Sequence, residues 1–146
     1  MKLTTTSDKL QIVLGATVTT NQLQCLTCYK VYTSTTTTDG KNAVNTNNTT
    51  DVDLAGAPSS GETYDIVNVN IFNADTVPQT VTIKLDVSGT ETILFKGVVG
   101  VNDVVSWTAE AGWRNTSNNV TPLLNNKKVL TGQLYETIDR DLCNEV

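Results

Sequence analysis

The sequence contains no histidine. That removes the side chain that most often serves as general base, the Ser-His-Asp and Cys-His arrangements built on it, and the commonest zinc ligand. Cysteine is scarce: Cys25, Cys28 and Cys143 form an odd set without the spacing of a disulfide framework. No Gly-x-Gly-x-x-Gly or P-loop pattern occurs, and Gly97-Val-Val-Gly100 is far from either. No segment approaches the roughly 20 apolar residues that span a membrane, and Met1 to Asp8 lacks the apolar stretch of a signal peptide. The expectation is a protein made in a cytoplasm, with no membrane partner. Positive charge is also short, with 10 Lys and Arg against 15 Asp and Glu and a net charge of −5. A nucleic-acid-binding domain gathers basic residues to neutralise phosphates, so nucleic acid is not an expected partner.

What the chain has instead is Thr and Asn, together more than a quarter of its 146 residues. Thr is β-branched and favours strands, while Asn favours turns and tolerates left-handed backbone. The length fits one domain, with an arm or tail besides.

Strand signals recur along the chain. Lys9 to Leu14 reads as a short strand after a polar lead-in, and Leu23 to Thr33 as a second strand. The Thr run from Thr35 to Thr38 ends in Asp39-Gly40, a tight-turn signal. Asp51 to Ala55 is a short alternating piece, and Ala57-Pro-Ser-Ser-Gly61 breaks the chain. In Tyr64 to Phe72, Val67, Val69 and Ile71 alternate with Asn68 and Asn70. From Thr80 to Val87, Val81, Ile83, Leu85 and Val87 alternate without a fault against Thr80, Thr82, Lys84 and Asp86. A period of two places each set on its own face of a half-buried strand. Glu91 to Val99 and Val104 to Thr108 follow, and Glu110 to Asn115 closes the series. Strands about ten residues apart predict an all-β, antiparallel β-sandwich, immunoglobulin-like or jelly-roll, over 9–114. Residues 1–8 then form an N-terminal arm and 115–146 a C-terminal extension. In that extension Leu130, Leu134, Ile138 and Leu142 recur every fourth residue, a helical stripe with charged residues around it. Such a stripe either folds back on its own sandwich or docks on a neighbouring subunit.

Few residues invite chemistry. Cys25-Leu-Thr-Cys28 is a lone Cys-x-x-Cys inside a predicted strand, where positions i and i+3 face opposite ways. That favours buried, inert thiols over a redox or zinc pair. Asp51 and Asp53 share a strand face and raise the idea of a calcium site, but they lie in no calcium-loop pattern and read better as a solvated face. Trp107 and Trp113, if exposed, would stack on a sugar; inside strands they read better as plugs of the core. No catalytic residue, metal ligand or cofactor is expected, and a glycosidase-like pair of carboxylates is not picked out.

The stretches Leu3 to Cys25, Asn47 to Pro58, Tyr64 to Asp75, Thr80 to Gly89 and the closing Gly112-Trp-Arg114 resemble small virion proteins encoded by tailed bacteriophages. The low-charge, Asn- and Lys-tinged composition would suit a phage of an AT-rich host, such as the crAss-like gut phages. The resemblance spans residues 3–114 and implies a β-sandwich protein of the phage particle. The leading expectation from it is an auxiliary capsid (decoration or cement) protein, present in multiple copies on the outside of the head. Its partner would be the major capsid protein or another virion protein. A neck, tail or head-fibre adaptor and a host-glycan-binding module are the alternatives. The expected interface residues are Leu134, Ile138 and Leu142, with residues 1–8 as a second reaching arm. Assembly inside the host and release by lysis would require no export signal.

Overall fold

The computed structural model of the protein describes residues 1–116, in which ten strands and no helix are present. They are β1 (Lys2–Leu3), β2 (Lys9–Leu14), β3 (Gln24–Tyr32), β4 (Thr37–Asn45) and β5 (Val52–Ala55), then β6 (Thr63–Phe72), β7 (Gln79–Val87), β8 (Thr90–Val99), β9 (Val104–Thr108) and β10 (Gly112–Thr116). One sheet runs β10-β9-β6-β3-β4, with β1 also on β6; the other runs β5-β2-β7-β8. Every pairing is antiparallel. The two sheets face each other across one core, so the chain is a β-sandwich, as its alternating pattern predicts.

The core follows from that alternation. Leu10, Ile12 and Leu14 on β2 and Val81 and Ile83 on β7 point inward from one sheet. Cys25, Ile66, Val69, Ile71 and Val105 meet them from the other. Burying one Leu, Ile or Val side chain contributes about 1.5–3 kcal/mol, so this layer supplies most of the drive to fold.

Four local features depart from the sequence reading. The lead-in at residues 1–8 is not a free arm: Lys2 and Leu3 pair with Asp65 and Tyr64, and Leu3 is fully buried. Because β3 occupies the whole of the opposite edge of β6, β1 and β9 share the remaining edge. Second, Asp39-Gly40 lies within β4. The turn falls instead at Thr33 to Thr36, where the Thr33 hydroxyl accepts from the Thr35 and Thr36 N–H groups. Gly40 is there because Tyr29 crosses it; a Cβ at 40 would overlap the ring. Third, Val67 is exposed rather than inward. Register slips so that Cys28 pairs with Asn68 and Tyr29 with Ile66, leaving Val67 as the extra residue of a bulge. Fourth, Val87 ends its strand exposed, although it continues the inward series.

Both flanks of the sandwich are closed by side-chain amides. On one side Asn42 of β4 donates from Nδ2 to the carbonyls of Asp53 (3.0 Å) and Leu54 (3.1 Å) on β5. On the other, Asn115 of β10 donates to the carbonyl of Val98 on β8 at 2.7 Å. Each bond joins an edge strand of one sheet to an edge strand of the other and occupies a carbonyl that would otherwise invite another chain.

Candidate functional site

Antiparallel connectivity gathers the loops after β2, β4, β6 and β8 at one end of the sandwich. Thr and Asn dominate these loops, and three polar side chains fix them. Asp75 is buried and accepts from the N–H groups of Thr19 (2.9 Å), Thr20 (2.7 Å) and Asn21 (3.2 Å) and from Gln79 Nε2 (2.7 Å). Burial works against its charge, but these donors outweigh that and hold the carboxyl well below the usual range of about 3.8. Asn73, fully buried, donates to the carbonyls of Val77, Val99 and Gly100 and accepts from the Asp75 N–H. Gln22 accepts from Thr46 Oγ1 and the Asn48 N–H while donating to Asn48 Oδ1, and Asn48 holds a left-handed φ of 52°. The exposed side chains of Thr17, Thr19, Thr20, Asn21, Asn47 and Thr49 therefore rise from a fixed backbone and carry no charge.

Asp51 and Asp53 do not converge on an empty point. Lys84 Nζ lies 2.8 Å from both Asp51 and Glu91, reaching across β2 to the first of them. Asp53 takes Gln11 Nε2 at 2.7 Å and Lys9 Nζ at 3.5 Å. Burial disfavours the Lys84 charge, yet the two carboxylates raise its pKa above the ordinary lysine value. No cluster of three or more acidic or thiol side chains suited to a metal ion occurs among the described residues.

Cys25 and Cys28 point to opposite faces of β3, as their spacing predicts. Cys25 is buried, and burial pushes its thiol up to about 12. Cys28 departs from the expectation of burial: it is half-buried on the outer face. Trp107 and Trp113 are cross-strand partners with ring centroids 6.3 Å apart. Both pack against the core, and Trp113 lies 5.6 Å from Phe95 of the opposing sheet. The indoles plug one side of the sandwich instead of forming an outward sugar platform.

The two outer faces differ. That of the four-stranded sheet carries the paired charges of Lys84, Lys9, Asp51, Asp53 and Glu91. That of the six-stranded sheet mixes Leu26, Cys28, Val67, Asn70 and Phe72 with the Lys30–Asp39 ion pair (2.9 Å), Lys41 and Asp65, among shallow troughs of about 460 and 470 Å³. Pattern reading missed this face because a bulge brings Val67 to it, and it missed Asp75 and Asn73 because their partners lie far away in sequence. The expected interface residues Leu134, Ile138 and Leu142, and Cys143, lie outside the described residues.

No protein-family model matches the chain, and neither a curated protein nor a solved structure matches it.

Proposed function

We propose that this protein works by assembly rather than catalysis, as an auxiliary capsid protein on the outside of a tailed-phage head. The observation that carries the reading is the fixed loop end. Four loops held by Asp75, Asn73 and Gln22 offer hydroxyl and amide groups whose backbone is already ordered. Docking such a surface on a capsomer loses little conformational entropy, and preorganisation of this kind converts more of the contact into affinity. The acidic balance of the chain adds repulsion from packaged nucleic acid, which keeps the protein on the outer side of the shell. The resemblance of residues 3–114 to small virion proteins supports the same assignment. The glycan-binding alternative is less well supported, since both indoles are spent inside the sandwich.

Imaging of the particle tests the proposal. Hundreds of copies distributed over the head support it. A single ring of about six or twelve copies would move the protein to the neck or tail, and absence from purified particles would overturn the virion reading altogether.

A further inference from the structure

We infer that the free edge of β8 pairs with the same edge of a second copy of this chain, antiparallel and about a two-fold axis. The inference does not depend on the virion reading. β8 is the longest edge strand among the described residues, running from Thr90 to Val99. The other edges are tied or short: Asn42 binds β4 to β5, and β5 and β10 span only Val52–Ala55 and Gly112–Thr116. Asn115 holds the Val98 carbonyl near the end of β8, and the rest of its outer edge has no paired strand among the described residues. Ile93 and Val98 on β8 are the most exposed large apolar side chains described, at 59% and 58%. A long edge with apolar side chains is a template for another strand.

The order of side chains along β8 selects the occupant. An antiparallel pair of identical strands is isologous, so each contact is made twice. With Glu91 opposite Lys96 of the second copy, Thr90 meets Gly97, Thr92 meets Phe95 and Ile93 meets Leu94. Residues directly opposite one another lie on the same face of a sheet. Glu91 and Lys96 are an odd and an even position, which a regular strand sends to opposite faces. A bulge removes that conflict: Ile83 pairs with Phe95 and Lys84 with Ile93, leaving Leu94 as the extra residue. Glu91, Ile93 and Lys96 therefore stand beside Asp86, Lys84 and Thr82 on the outer face. Thr90, Thr92, Phe95 and Gly97 share the inner face, so the register matches face for face.

Charge fits the same register. Lys96 has no carboxylate within ion-pair reach among the described residues. Glu91, half exposed, holds Lys84 through Oε1 at 2.8 Å, which leaves Oε2 for Lys96 of the second copy. Two such pairs would flank an apolar centre of Ile93 and Leu94, the arrangement of a stable contact. Sliding the strands by two residues would set Lys96 against Ile93 and draw in Val98, whose carbonyl Asn115 already holds. A bulge and a lysine ordinarily guard an edge against indiscriminate pairing; here they admit one register and oppose its neighbours.

Sedimentation equilibrium of the full chain tests the pairing. The natural chain should show a reversible monomer–dimer equilibrium at concentrations below about millimolar. Glu91→Lys and Lys96→Glu should each weaken the dimer at least about tenfold, because each sets like charges opposite one another. Glu91→Lys combined with Lys96→Glu in one chain should regain it. An equimolar mixture of the two single variants should do so too, since their charges are opposite at every contact. Ile93→Asp, at a position outside the core, should weaken the dimer without touching either charged residue, and unchanged tryptophan emission shows that the sandwich is intact in each variant. A monomer at every concentration overturns the inference. So does a dimer indifferent to these changes, or one that neither the double variant nor the mixture restores.

Discussion

Trp113 on β10 and Phe95 on β8 face each other across the sandwich, ring centroids 5.6 Å apart and planes tilted by 30°. They belong to different sheets, so this contact holds the sheets together on the flank away from β4 and β5. Trp113→Ala should therefore destabilise the fold by about 3 kcal/mol, read as a lower denaturant midpoint. Trp113→Phe should recover much of the loss. Addition of host polysaccharide should leave the emission of the natural protein unchanged, and quenching on addition would revive the glycan reading.

Asp75 is the anchor of the loop after β2. Asp75→Asn replaces one acceptor oxygen by a donor facing N–H groups. Amide exchange at Thr19, Thr20 and Asn21 should accelerate by on the order of tenfold or more. The pH dependence has a definite sign. The folded pKa lies below the ordinary 3.8, so the stabilisation is complete above about pH 4. It is lost as pH falls through the folded value. Asp8, lowered by the Thr5 hydroxyl and the Thr4 N–H, adds to the same trend. Asp75→Asn should be less stable at neutral pH and show a shallower loss on acidification; an unchanged acid profile would contradict this role.

Asn73 serves four bonds with one amide. Asn73→Ala takes the side-chain donor from the carbonyls of Val77, Val99 and Gly100 and the acceptor from the Asp75 N–H, a loss of about 3 kcal/mol. Thermal unfolding measures it, and a change within error of zero would show that water replaces the amide without cost.

Gly40→Ala tests a steric claim. With the new methyl driven into the Tyr29 ring, which also stacks on Tyr64 at 4.7 Å, the cost should be about 1–3 kcal/mol. A neutral result would mean that the ring swings aside freely.

Cys25, with its thiol at about 12 against an ordinary 9.0, should carry about a thousandfold less thiolate than a free thiol. Native alkylation should therefore leave it unmodified while Cys28 reacts, and denaturant should expose it. Rapid native labelling of Cys25 would refute its burial.

The sandwich was legible where one rule acted alone. From Thr80 to Ile83 the alternation is backed on both sides by paired strands, and each side chain faces as its parity predicts. Val67 was not legible: a bulge inserts one residue without a marker in the sequence, and parity changes across it. Asp39-Gly40 misled because glycine has two uses, a tight turn or room for a neighbouring ring, and only the position of Tyr29 separates them. The opposed faces of Cys25 and Cys28 needed only strand geometry. Asp75 reaches donors 54 to 56 residues away, beyond any local pattern.

The amides of Asn42 and Asn115 give the fold a chemical lifetime. Hydrolysis of either side chain would exchange an N–H donor for a carboxylate set against a backbone carbonyl, turning attraction into repulsion at the seam between the sheets. Wear in a long-stored sample would then begin along the flanks and leave the core packing intact at first.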